Sequence, residues 1–214
     1  MLVLNLKTFE ESSGENLERI MYEIAELSDD RVFIAPEVGE LVSTKEKFPS
    51  MNIIAQNVDD QDPGKSTGWV PAEILLENNI DISIYNHSEH RVWDENILDK
   101  ISSIQAKGLK LIVCCQDLNE AEKLIQVKPF AIAYEPPDLI GSGISVTTRP
   151  EIVKEFIKIV PEGILQIIGA GVSNGEDVES AMKLGADGVL VASAFVMAED
   201  HKAKLQELLD GFSV

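Results

Sequence analysis

The sequence predicts an α/β fold of the (β/α)8 barrel type, a parallel eight-stranded barrel ringed by helices. Two observations carry this. Short runs rich in Val and Ile, nearly continuous in apolar residues, alternate with longer amphipathic segments along the whole chain. The alternation counts to eight within 214 residues, and eight strands close a small parallel barrel. No Pro-Gly-Ser linker or low-complexity stretch interrupts it, so residues 1–214 are expected to form a single barrel domain. Alternation alone also fits an open doubly wound sheet, which stays the rival on pattern.

The expected strands are Leu2–Leu6, Val32–Ala35, Ile53–Gln56, Ile82–Tyr85, Leu109–Cys114, Phe130–Tyr134, Leu165–Ile168 and Gly188–Ala192. The segments between them read as helices. Over Glu15–Leu27, residues Leu17, Ile20, Met21, Ile24 and Leu27 form one stripe. Ile97, Ile101 and Ile104 repeat the spacing, as do Ile152, Phe156, Ile157 and Val160. Pro71 is expected to open a helix where its missing N–H costs nothing. Asp94 precedes a helical run, Asn174-Gly-Glu-Asp177 supplies a cap and an acidic first turn, and Gly108 and Gly185 stand where helices stop.

Composition narrows the function. The formal charge of −19 and pI of about 4.4 argue against nucleic acid and anionic membranes, both of which need a cationic face. No apolar run reaches the roughly 18 residues that span a bilayer, and Met1–Lys7 lacks the features of a signal peptide, so a soluble cytoplasmic protein is expected. Cys114 and Cys115 are adjacent and make no Cys-x-x-Cys pair. His87, His90 and His201 lack the spacings of zinc hydrolases. No metal site is expected.

Either α/β fold places active residues at the C-terminal ends of strands. Lys7 ends the first strand; it is an ordinary solvated lysine or a fixed positive charge for an anionic substrate in an acidic protein. His87 follows strand 4 and is expected to open a helical turn whose N-terminus keeps the ring neutral, able to give a proton and recover it. Glu135 ends an apolar strand, either paired with a strand-end lysine or serving as a base tuned by partial burial. Pro136–Thr148, with Gly141-Ser142-Gly143, reads as a surface loop or a lid. Gly169-Ala170-Gly171 and Ala192-Ser193 lie between strand and helix; they are tight turns or a phosphate seat made of backbone N–H groups. Two resemblances fail. Pro63-Gly64-Lys65-Ser66 has Asp59 where a P-loop needs Gly, and Gly169-x-Gly171-x-x-Asn174 lacks the last glycine of a dinucleotide fingerprint.

Taken together, Asn5-Leu6-Lys7-Thr8, Ala55-Gln56-Asn57-Val58, Asn86-His87-Ser88-Glu89, Ala133-Tyr134-Glu135-Pro136-Pro137, Leu139-Ile140-Gly141-Ser142-Gly143, Gly169-Ala170-Gly171 and Val191-Ala192-Ser193 resemble the triosephosphate isomerase family, especially its shorter archaeal branch. They occur in the family's order across nearly the whole chain. The resemblance selects the barrel over the open sheet. It implies Glu135 as the base between adjacent carbons, His87 as the proton shuttle between oxygens, and Lys7 as the charge that steadies the enediolate. Asn5 and Lys7 would line the substrate mouth. Ile140, Gly141, Gly171, Ala192 and Ser193 would hold the phosphate, and Glu89 would be a buried partner of Lys7. The implied reaction interconverts dihydroxyacetone phosphate and D-glyceraldehyde 3-phosphate and calls for no cofactor.

Some positions depart from other branches: Ile168 replaces a Tyr, Gly171 a Ser, and Ala192-Ser193 a Gly-Gly pair. Cys114 matches a family cysteine and is read as packing near the site. Family members are homo-oligomers; Gln61–Trp69 resembles the arm that enters a partner's site. The charged fifth helix around Asn119–Leu124 and the charge of −19 favour a dimer over a tetramer. The alternatives are another phosphate-binding barrel isomerase and a non-catalytic phosphometabolite-binding barrel.

Overall fold

In the computed structural model, residues 1–137, 139 and 145–213 are described, Val146 by its backbone alone. The strands are β1 (Leu2–Asn5), β2 (Val32–Ala35), β3 (Asn52–Ile53), β4 (Ile82–Tyr85), β5 (Lys110–Cys115), β6 (Ala131–Tyr134), β7 (Leu165–Ile168) and β8 (Gly188–Val191). All pair in parallel, in the order β3-β2-β1-β8-β7-β6-β5-β4. The two ends of that order meet where Ala55 bridges Ser83. There Ala55 N–H donates to Ile82 O at 3.0 Å and Ile84 N–H donates to Ala55 O at 2.9 Å. The sheet thus closes on itself, as a TIM barrel does, and the open doubly wound sheet is excluded.

Strand boundaries fall within two residues of expectation except at β3, where Ile53–Gln56 was expected and only Asn52–Ile53 is laddered. The chain changes partners here. Ile54 N–H donates to Ile34 O on β2, whereas the next residue pairs with β4. Gln56 leaves the ladder altogether, because its side-chain amide takes the Ala35 carbonyl at 2.9 Å.

Alternation along the strands sorts the core into two shells. Val3, Ala35, Ile54, Ile84, Ile112, Cys114, Ala133, Ile167 and Leu190 fill the barrel. Leu2, Leu4, Val32 and Ile34 face outward onto the helices. Helix α1 (Glu15–Ile24) buries Leu17, Ile20, Met21 and Ile24 in that outer shell. Each such side chain contributes about 1.5–3 kcal/mol of burial.

The other helices are α2 (Leu41–Lys47), α3 (Ala72–Glu77), α4 (Ile97–Ala106), α5 (Leu118–Leu124), α6 (Pro150–Ile159), α7 (Gly175–Leu184), α8 (Ser193–Val196) and α9 (His201–Asp210). Pro71 stands one residue earlier than expected, capping α3 from an extended conformation. Asn174 caps α7 by accepting from Asp177 N–H at 2.9 Å. Gly108 and Gly185 both turn at positive φ, 102° and 103°, as the ends of α4 and α7 require. Phe156 on α6 stacks against Tyr134 at 5.2 Å between centroids, holding the helix over the end of β6.

Candidate active site

At the C-terminal ends of the strands lies a cavity of about 370 Å³. Lys7, His87 and Glu135 line it together with Gly171, Ala192 and Ser193. They come from the ends of β1, β4, β6, β7 and β8. A second hollow of about 250 Å³ adjoins it across Lys7, His87 and Glu89 and includes Asn5 and Gln56. Ile140 and Gly141, the other expected phosphate contacts, lie outside the described residues, as do residues 138 and 140–144 of the expected lid.

Lys7 is placed by an unfavourable backbone. Its φ is 50°, a left-handed conformation that costs a residue with a Cβ about 1–2 kcal/mol. Three contacts hold it there. Lys7 N–H donates to Asn5 Oδ1 at 3.1 Å. Gln56 Nε2 donates to Lys7 O at 2.8 Å and to Ala35 O, tying the turn after β1 to β2 and β3. The ammonium reaches Glu89 Oε1 at 2.7 Å. Glu89 is 55% exposed, so it is a partner of Lys7 but not the buried one expected: it stands on a surface turn.

His87 is set by the residue before it. Asn86 adopts φ 60°, donates from Nδ2 to Cys114 O at 2.8 Å and accepts Val92 N–H at 3.1 Å. This fastens both ends of the segment that carries the imidazole. Ser88 and Glu89 form a single turn, and the next helix begins only at Ile97; the expected helix N-terminus beside His87 is therefore replaced by one backbone donor. Glu89 N–H points at His87 Nδ1 over 3.2 Å, which requires Nδ1 to be an acceptor and puts the ring proton on Nε2. Nε2 faces Glu135 Oε1 at 3.4 Å. Burial pushes the imidazole pKa down, but the hydrogen bond and charge of Glu135, with the charge of Glu89, outweigh it. The net direction is upward from 6.5, contrary to the neutral ring expected from a helix dipole.

Glu135 is 3% exposed. Its backbone N–H donates to Cys115 O at 2.9 Å, continuing the β5–β6 ladder one residue past the strand. Its partner is His87, not a lysine, and among the described residues Oε2 is buried without a hydrogen-bond partner. A Cβ on Gly169 would stand 2.7 Å from Glu135 Cγ, so only glycine lets the carboxylate lie where it does. Beneath it Cys114 is buried; burial drives its thiol pKa well up and the Glu135 charge adds to that. Cys114 is packing in this arrangement and no nucleophile.

A model of triosephosphate isomerase matches residues 1–209. The chain belongs to the triosephosphate isomerase family. The triosephosphate isomerase of Methanopyrus kandleri is 38% identical over 218 residues, covering 98% of this chain and 96% of that protein. That of Methanobrevibacter smithii is 37% identical over 216 residues, with 98% and 97% covered. That of Thermoplasma volcanium is 34% identical over 210 residues, with 97% and 98% covered. The triosephosphate isomerase assignment carries the class of chemistry, aldose–ketose isomerisation. Two features of the site were not read from the sequence: the grip of Gln56 on Lys7, and the need for glycine at 169. The first had a signal, an amide at the end of an apolar strand; the second had none, because it depends on where a side chain 34 residues away comes to lie.

Proposed function

We propose that this chain interconverts dihydroxyacetone phosphate and D-glyceraldehyde 3-phosphate, with Glu135, His87 and Lys7 as the reacting groups. The observation that carries the reading is one cavity lined by a carboxylate, an imidazole and an ammonium and by the backbone turns at Gly171 and Ala192–Ser193. The family supplies the reaction, and the geometry suggests a division of labour.

Glu135 removes the proton from the carbon beside the carbonyl. His87 Nε2–H donates toward the carbonyl oxygen as negative charge grows there, and Lys7 stabilises that charge. Returning the proton from Glu135 to the neighbouring carbon completes the shift; no electron enters or leaves, so the steps need no cofactor. Substrate carbon and oxygen atoms have to come between Glu135 and His87. Seating them breaks the 3.4 Å contact and removes the hydrogen bond that most raises the imidazole pKa. Burial and the Glu89 N–H then favour the neutral ring with its proton on Nε2. The N–H groups around Gly171 and Ala192–Ser193 hold the phosphate without a side-chain charge, with Ile140 and Gly141 as further contacts and Asn5 steadying the mouth.

The same reading makes residues 1–214 one domain and the protein a cytoplasmic homodimer. Trp69, at the end of the segment expected to enter a partner's site, and Ile74 beyond it stand 53% and 43% exposed. A light-scattering mass near four chains overturns the dimer.

Incubation with glyceraldehyde 3-phosphate in heavy water tests the function. Ketose product carrying carbon-bound deuterium is expected. Binding of the substrate without isomerisation or exchange indicates a phosphometabolite-binding barrel instead.

A further inference from the structure

Helix α9 opens with a histidine that the chemistry above does not use. His201 is 5% exposed, and both of its ring nitrogens face acceptors. Nδ1 lies 3.1 Å from Glu23 Oε2 on α1, and Nε2 lies 3.2 Å from the carbonyl of Val196, the last residue of α8. A neutral imidazole has one N–H and one lone pair. Either tautomer therefore sets a lone pair against an oxygen at one of these contacts. Only the doubly protonated ring donates to both.

The surrounding groups, element by element, are these. On α1, Glu23 also has Arg19 at 3.8 Å, and Glu26 is paired with Lys202 of α9 at 3.0 Å. On α8, the Val196 carbonyl is at the helix C-terminus, where partial negative charge favours a cation, and Phe195 meets the ring edge-on at 5.4 Å. At the start of α9, Asp200 accepts Ala203 N–H at 2.8 Å and offsets the positive end of that helix.

Helix α8 is a single turn. Phe195 and Val196 N–H both donate to Ala192 O, at 3.0 and 3.1 Å, so the end held by His201 is rigidly joined to the end at Ala192–Ser193. We propose that His201 is a positioning residue for the substrate's phosphate: holding Glu23 and the Val196 carbonyl through its two ring nitrogens, it clamps the C-terminal end of α8 to α1 and so sets where the Ala192–Ser193 backbone stands. The proposal rests on the reading of that turn as a phosphate seat. Removing the imidazole opens the clamp, and anion affinity falls while turnover of bound substrate does not.

Sulfate, a dianion over the whole range used, is the probe. Its competitive inhibition constant is measured for the wild type and His201→Gln between about pH 6 and about pH 9. The ratio of the two constants cancels the titrations of His87 and of the substrate. The variant is expected to bind sulfate about threefold to tenfold more weakly, and kcat to stay within about twofold throughout. A ratio of one at every pH, with sulfate competitive in both proteins, overturns the clamp alone. Sulfate that fails to compete in either protein overturns the phosphate seat and the clamp with it. Should His201→Gln not fold, ring 15N spectra of the wild type decide, the other two histidines being assigned through His90→Gln and His87→Gln. Both ring nitrogens of His201 are expected to be hydrogen-bonded, as the contacts to Glu23 and Val196 require; a ring nitrogen without a partner overturns the proposal.

Discussion

His87 hydrogen-bonds in two directions at once: Nδ1 accepts the Glu89 N–H at 3.2 Å, and Nε2 faces Glu135 Oε1 at 3.4 Å. The first contact favours a neutral ring and the second a charged one, and in the empty site the second prevails. The folded-state value is raised, so the contact adds stability that is fully present below the ordinary 6.5 and is lost as pH rises through the raised value. Replacing Glu135 by Gln removes the larger of the two influences that raise it and leaves burial and the Lys7 charge against the Glu89 charge, so the His87 titration followed by NMR is expected to move to lower pH. A titration unmoved in Glu135→Gln rules out the carboxylate as the cause.

Gly169 tests how closely Glu135 is placed. An added Cβ meets Glu135 Cγ at 2.7 Å, and the side chain must swing away to make room. Gly169→Ala is expected to lower kcat by at least about tenfold, as sub-ångström displacement of a base does, with KM and melting temperature nearly unchanged. Steady-state kinetics beside a thermal melt check this; equal losses in kcat and stability indicate general damage.

The adjacent thiols Cys114 and Cys115 are both free and buried, and burial pushes both well up in pKa. Thiolate is the reactive form. Neither is expected to react with an alkylating reagent at neutral pH until the protein is unfolded. Rapid modification of the native protein, read by mass spectrometry, contradicts this placement.

Arg91 and Glu120 join the His87 segment to the start of α5. Arg91 Nη1 lies 3.1 Å from Glu120 Oε2, and Gln116 donates to the same carboxylate from its backbone at 2.9 Å. Burial raises the Glu120 pKa, but these donors outweigh it, and the net direction is down. The stability involved is present above the ordinary value of 4.5 and is lost as pH falls through the lowered one. Arg91→Met is expected to destabilise by about 2–3 kcal/mol at neutral pH and by less in acid. Urea unfolding at two pH values measures the difference.

The barrel was legible because strands buried on both faces have to be apolar throughout, and Val3, Ile34, Ile112 and Ile167 meet that demand in eight similar runs. Glu135 was conspicuous for the opposite reason, a charge directly after such a run. What escaped reading depends on distant partners. β3 was overestimated because its residues divide their hydrogen bonds between two neighbours. The His87 environment was misjudged because a turn replaces the expected helix and Glu135 comes within reach. His201 fits a helix start as well as any polar residue, and nothing local tells that Glu23 and Val196 flank it.

The ring of strands has a clasp, the lone residue Ala55 that joins β3 to β4. It stands close to His87, which follows β4, and across the barrel from the turns after β7 and β8. A breach there would detach the His87 arc while the turns after β7 and β8 stayed whole, giving a species that keeps the proposed anion seat yet loses the proposed proton shuttle. Amide exchange at Ala55 and Ile84 running ahead of that at Val191 would reveal it.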